Sequence, residues 1–383
     1  MCRTPQFPKR CRLLSVTLLL ALLTGSMDAG RAEEFSGSFA SAVLMDAETG
    51  EILIESNVHR KHQPASIVKM MVALIVMEKV EEGRLGLDDE IRVSRRASQM
   101  GGSQVYLKQG EVFTLEQLMK AMMVHSGNDA AVSIAEHVAG SAEAFVDLMN
   151  MKARELGLTE SVFQSVHGLP PGKGQKADLT SASDLAVLAR ALIRYPKVLE
   201  WCSIVSEPFR GESFVLQNTN KLLTRYRGVD GIKTGYTKES GYSMVATATR
   251  DSSRMIAVVM GAPSDEARSV EVTRLLTIGF NMFKRVQLAR ADQFLNKTLP
   301  VRNGKQEAVS LRYAADLWVS VKTEKVPEVV LVEELVEAVE APVREGEPVG
   351  KASAKLGDQV LMSVGIVSAE TVERASLLDR LFR

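Results

Sequence analysis

The most constraining feature of this chain is the run from Ser66 to Val80, in which no polar side chain interrupts the stretch Met70–Met77. At this length the run is a helix rather than a strand, and its near-continuous apolarity leaves no face for water. Such a helix must be surrounded, so the domain that holds it needs a large packed core. The chain can supply one. It has 383 residues, 45% hydrophobic and 25% charged, which excludes a disordered, collagen-like or coiled-coil protein and suggests two domains. Lys69 lies near the start of this apolar helix and would be costly there without a partner.

The first 32 residues read as a secretory signal. Arg3, Lys9, Arg10 and Arg12 precede the apolar run Leu13–Leu23, and Gly30-Arg31-Ala32 offers a small-residue cleavage site. Eleven residues are too few to cross a hydrocarbon core of roughly 30 Å. The whole chain balances 47 Lys+Arg against 47 Asp+Glu. Cleavage after Ala32 removes five bases and one acid (Asp28), leaving 42 basic and 46 acidic groups, so nothing favours a nucleic-acid backbone. Cys2 and Cys11 leave with the signal, so Cys202 remains without an internal disulfide partner. Its setting, Leu199-Glu200-Trp201-Cys202, suits a buried helix end better than a reactive thiolate.

Residues 38–57 predict a hairpin turning at Asp46–Gly50, and residues 84–157 predict helices at Leu115–Val124, Asp129–Val138 and Ala142–Leu156. A Gly- and Pro-containing loop at 163–178 precedes a helix from Ser181 or Ser183 to Arg194. Strands at Tyr242–Thr249 and Arg254–Met260 lead to a helix over about Ser269–Phe283. Helices inserted between an N-terminal hairpin and later antiparallel strands describe an α+β domain at 33–290. Short β-branched segments separated by Gly-containing turns then predict a small all-β domain at 291–368. The final stretch, 369–383, predicts a short helix with Leu377, Leu378, Leu381 and Phe382 on one face, suited to a membrane surface or to packing on its own domain.

Three elements carry candidate chemistry. Ser66 and Lys69 stand one helical turn apart, so a lysine kept partly neutral by burial or a neighbouring cation could activate the hydroxyl. His125-Ser126-Gly127-Asn128 occupies a junction between helices, where Ser126 could relay a proton and Asn128 could hold an amide. Gly231-Ile232-Lys233-Thr234-Gly235 suits an edge strand that a ligand backbone approaches closely, with Lys233 adding positive potential and Thr234 donating to a carboxylate. Each element alone has a plain structural reading: an N-cap, a helix-capping turn, a surface loop. No phosphate-loop pattern and no metal-ligand spacing accompanies them, so neither a cofactor nor a metal is expected.

In this order the three elements form the signature shared by penicillin-binding proteins and serine β-lactamases. The chain resembles the low-molecular-mass penicillin-binding proteins, specifically the exported D-alanyl-D-alanine carboxypeptidases of the DacA/DacF type (serine peptidase family S11). Leu44–Gly50, Pro64–Met70, Ser126–Ala131, His167–Pro170, Thr180–Leu185 and Val229–Tyr236 all share in the likeness. The resemblance implies a β-lactamase-like transpeptidase domain followed by the all-β domain. It implies Ser66 as acylated nucleophile, Lys69 as its base, Ser126 and Asn128 in the proton network and donor-strand grip, and Lys233, Thr234 and Gly235 at the terminal carboxylate and peptide backbone. Arg268 matches an arginine used near that carboxylate, and Tyr236 stands where the family often has histidine, which removes a group titrating near neutrality. The backbone N–H of Tyr236 is expected to join that of Ser66 around the tetrahedral oxygen.

The implied substrate is the peptidoglycan stem peptide, with β-lactams as covalent inhibitors, and the implied location is the outer face of the cytoplasmic membrane. His125 and His167 are expected to be structural. Three alternatives stay open: a D,D-endopeptidase, a β-lactamase of the same fold, and a non-catalytic wall scaffold. The β-lactamase reading lacks its deacylating glutamate, because Phe163–Thr180 contains only Asp178 as an acid.

Overall fold

The computed structural model describes residues 33–211, 213–251 and 253–376. A six-stranded sheet organises the first domain, in the order Glu33–Glu34, Ile52–Ser56, Ser41–Asp46, Ser253–Ala262, Gly241–Arg250, Val229–Thr237. All neighbours are antiparallel except the first pair. Because side chains alternate along a strand, Val43, Met45, Ile256, Val258 and Met260 face one core, and Ala42, Leu44, Met255, Ala257 and Val259 face the other. The first core is helical and holds Lys69–Glu81 at its centre; the second is covered by Asp265–Met282.

The expected helix over 66–80 is present as a 3-10 turn, Ala65–Val68, running into an α-helix, Lys69–Glu81, whose residues from Lys69 to Met77 are all buried. The surrounding helices are Leu115–Val124, Asn128–Ala139, Ala142–Glu155, Ala182–Leu192 and Pro196–Ser203. Their starts follow local chemistry. Thr114 and Gln117 form a reciprocal capping box, and Ser141, Ser181 and Ser264 each accept a backbone N–H of the first turn.

The boundary expected at 290 lies further upstream. Asp265–Met282 passes directly into the strand Phe283–Ala289, which pairs with Leu317–Lys322 and packs in the third core with Leu311, Val319 and Ile366. A helix-to-strand change with no intervening loop leaves no composition signal, which is why the texture of the sequence changes only after the strand has begun. The rest of the β domain is a second six-stranded sheet that includes Pro348–Leu356, a strand the β-branched pattern did not reveal. The two domains meet at Asp46, which is fully buried. One carboxylate oxygen accepts from Glu48 N, Thr49 N and Thr49 Oγ1, and the other accepts from Ser320 Oγ at 2.6 Å. A hydrogen bond to a charged acceptor of this kind contributes about 1.5–3 kcal/mol.

The expected terminal helix is not seen where the chain is described. Residues 369–376 instead bridge the β domain, Val372 pairing with Val343 and Arg374 with Gly304, with Val372 buried. The apolar face proposed for Leu377, Leu378, Leu381 and Phe382 lies outside the described residues, as does the signal segment. Among the described residues no helix is long and apolar enough to cross a membrane.

Candidate active site

Ser66 is the half-buried residue of an otherwise buried turn at the head of the central helix. The turn is tightly held: Ala65 has φ +50°, a left-handed conformation that costs a non-glycine residue about 1–2 kcal/mol. Two glycines make room for it. A Cβ on Gly235 would lie 2.4 Å from the Pro64 carbonyl oxygen, and one on Gly168 would lie 2.0 Å from that of Ala65. Thus the Val229–Thr237 strand and the loop after His167 both press backbone to backbone against the serine turn.

Lys69 is fully buried, and its amine sits 2.8 Å from Ser66 Oγ, 2.7 Å from Asn128 Oδ1 and 3.0 Å from the His167 carbonyl oxygen. Burial pushes its pKa well below that of a free lysine, and the charge of Lys233 pushes the same way against the weaker pull of Asp129 and Asp178. In the neutral state the amine can accept the Ser66 proton.

Ser126 has φ +66°, a second left-handed residue, at the turn ahead of Asn128–Ala139. Its hydroxyl accepts from Lys233 Nζ at 2.9 Å, and Lys233 also donates to its neighbour's carbonyl, Thr234 O, at 3.1 Å. Burial is the main cause that lowers the Lys233 pKa to about 7. The tripeptide Ser126–Asn128 therefore touches both lysines, one through each end. Asn128 is itself oriented by donating Nδ2 to Gly101 O at 2.7 Å.

The Val229–Thr237 strand is a sheet edge, as its glycines suggested. Thr234 Oγ1 donates to Thr219 Oγ1 at 2.7 Å. Gly235 pairs with Ser243, and Tyr236 pairs with Tyr242, their rings stacked at 4.2 Å. Arg268 comes from the helix behind. It is buried, donates to Ser243 O and pairs with Asp265, while its Nε has no hydrogen-bond partner among the described residues. It stands against the strand next to Gly235 rather than beside Ser66.

Several contributors escaped sequence reading because they act through backbone or from a distance. The His167 carbonyl, not its ring, meets Lys69; the ring accepts from Leu169 N, and burial with Lys69 nearby lowers its pKa to about 4. Asp178 accepts from Gln164 N, Ser165 N and Ser165 Oγ, which shapes the loop carrying that carbonyl. Ser103 O accepts from Asn128 N, and Asp129 holds Val105 N and Leu107 N. His125 accepts from Gln217 N. Cys202 is buried with its pKa raised to about 12, the state of an inert thiol.

Residues 30–264 match the family model described as D-alanyl-D-alanine carboxypeptidase, and residues 283–374 match the C-terminal domain of penicillin-binding protein 5. The chain belongs to the D-alanyl-D-alanine carboxypeptidase family. It is 33% identical to D-alanyl-D-alanine carboxypeptidase DacF of Bacillus subtilis over 97% of each chain. It is 35% identical to DacA of Escherichia coli over 73% of this chain and 70% of that one. Among solved structures, penicillin-binding protein 5 of Haemophilus influenzae superposes with a TM-score of 0.79 at 29% identity, covering 89% of this chain and 99% of the other. Penicillin-binding protein D2 of Listeria monocytogenes in its ampicillin-bound form matches at 31% identity and a TM-score of 0.59, over 64% and 98%. As a family member the protein is a serine-type carboxypeptidase that acts on the D-Ala-D-Ala end of peptidoglycan stem peptides, with an α+β transpeptidase-like domain followed by an all-β domain.

Proposed function

We propose that Ser66 is the acylated nucleophile of this carboxypeptidase and that Lys69 is its general base. The observation that carries the assignment is the buried Lys69 amine 2.8 Å from Ser66 Oγ, with its charged form opposed by burial and by Lys233. The Ser66 proton passes to Lys69 Nζ as Oγ bonds to the carbonyl carbon of the penultimate D-alanine. Backbone N–H groups of Ser66 and Tyr236 stabilise the oxygen that gains charge. The C–N bond then breaks, and the terminal D-alanine leaves with a proton delivered through Ser126. Water releases the acyl group by the reverse proton path. Asn128 holds the donor amide, and Lys233, Thr234 and Gly235 receive the terminal carboxylate and backbone. Arg268 acts from behind this strand by adding positive potential.

The same chemistry lets a β-lactam acylate Ser66. Incubation with penicillin is expected to add one drug mass to the peptide containing Ser66, and Ser66→Ala is expected to abolish both the adduct and D-alanine release from a diacylated tripeptide ending in D-Ala-D-Ala. An unmodified wild-type chain after long exposure would reject the assignment.

Work outside the cytoplasm fits the substrate and the signal-like first 32 residues. The apolar side chains Leu377, Leu378, Leu381 and Phe382 in the last seven residues are the proposed contact with the membrane surface. Flotation with vesicles tests this: truncation before Leu377 is expected to abolish membrane association, and unchanged association would remove the segment from the account.

A further inference from the structure

Tyr106 combines two features that ordinary surface residues avoid. The residue is 62% exposed, and its backbone is left-handed at φ +58°. A bulky residue keeps such a conformation only where its surroundings over-determine it. Here they do. The amides on either side, Val105 N and Leu107 N, donate to the buried carboxylate of Asp129 at 3.1 and 3.0 Å. Arg210 donates to the carbonyl oxygens of Val105 and Tyr106, pairs with Glu111, and lies over the Phe113 and Phe209 rings. Asp129 directly follows Asn128, so the same turn that touches both lysines also fixes Tyr106.

The ring belongs to an aromatic row. Tyr106 meets Phe214 edge-on at 5.9 Å, and Phe214 meets His125 edge-on at 5.1 Å, immediately before Ser126. The strand Phe214–Gln217 continues to Thr219, whose hydroxyl accepts from Thr234. In the reading proposed above, Ser126 serves the departing amine and Thr234 its carboxylate. The row is therefore built on the leaving-group side of the cleft, and the inference rests on that reading.

We propose that Tyr106 is a specificity residue that limits the size of the leaving group. A terminal D-alanine presents only a methyl group to this side. In a cross-linked dimer the departing amine belongs to a long side chain that carries a second stem peptide, and it must pass the aromatic wall. A single methylene of fit or misfit in a pocket already separates two substrates by about 10- to 200-fold, so an aromatic ring in the path of the bulkier leaving group is expected to discriminate at least tenfold.

The test compares kcat/KM for D-alanine release from a purified pentapeptide muropeptide with kcat/KM for cleavage of a purified cross-linked dimer, using the intact protein. Tyr106→Ala is expected to raise the ratio of dimer cleavage to D-alanine release tenfold or more, and Tyr106→Phe to keep the wild-type ratio. Tyr106→Gly should raise the ratio equally while increasing the melting temperature, because glycine accepts the left-handed backbone. A purely structural role would change both rates by one factor, and an unchanged ratio in Tyr106→Ala and Tyr106→Gly overturns the proposal. Absence of penicillin acylation at Ser66 in the wild type would instead overturn the underlying assignment, so the two failures are distinguishable.

Discussion

Replacing Gly168 by alanine probes how tightly the turn carrying the proposed nucleophile, Ser66, is gripped. The added methyl would lie 2.0 Å from Ala65 O, 2.3 Å from Ala65 C and 2.9 Å from Ser66 N. All three are backbone atoms, so no side-chain rotation relieves the overlap. Bringing the closest contact to 3.0 Å needs a shift of at least about 1 Å between the loop and the serine turn. That shift moves the His167 carbonyl away from Lys69 or moves Ser66 itself, and a misplacement of this size costs about 10²-fold in rate. In activation free energy this is ~2.7 kcal/mol. The left-handed backbone at φ +77° adds about 1–2 kcal/mol of lost stability. Gly110 provides the control: it is also left-handed, at φ +87°, but a Cβ there meets nothing within 4 Å. Gly110→Ala should lower the melting temperature by a few degrees and leave penicillin acylation at the wild-type rate. Gly168→Ala should lower both stability and the acylation rate constant, the latter about 10²-fold. Normal acylation in Gly168→Ala would refute the claim that backbone contact between this loop and Ala65 positions the nucleophile.

Further predictions concern titratable groups. In the proposed mechanism Lys69 must be neutral to accept a proton and Lys233 charged to attract a carboxylate, so kcat/KM should fall on acidification as Lys69 protonates. It should also fall above about pH 7 as Lys233 loses its charge. A bound carboxylate favours charged Lys233, so the alkaline limb of kcat should lie at higher pH than that of kcat/KM. Because Asp178 raises the Lys69 pKa, Asp178→Asn should move the acid limb to lower pH, and movement upward would contradict the charge assignment. Cys202, buried with a pKa near 12, should resist iodoacetamide at pH 8 in the native protein and react fully on denaturation, as mass analysis of its peptide would register. Labelling of the folded chain would show that the wall behind Lys233 is open.

Much of the secondary structure was legible because local patterns dominate where one side chain period decides the outcome. The helix expected at Leu115–Val124 has those ends, and the hairpin turn uses Gly50 at φ +78°. Serine caps and glycine stops act within a few residues, so neighbouring positions carry their signal. The domain boundary at Phe283 and the strand Pro348–Leu356 were hidden for the opposite reason. A helix that enters a strand without a turn, and a strand rich in Gly, Ser and Ala, differ little from their flanks in composition.

The residue types able to do chemistry were written in the chain: a serine one turn before a lysine, a Ser-Gly-Asn turn, and a Lys-Thr-Gly segment between glycines. Their spacing also places Ser66 and Lys69 on one side of a helix, because a helical turn is a local property. Only the tertiary structure decided that Ser126 and Asn128 reach separate lysines, that the backbone of His167 rather than its ring meets Lys69, and that Asp129 fixes an exposed tyrosine. Carbonyl oxygens carry no sequence signature, and a lysine's protonation depends on how much water the whole fold removes around it. Those are properties of packed surroundings, which arise when distant segments close on one another.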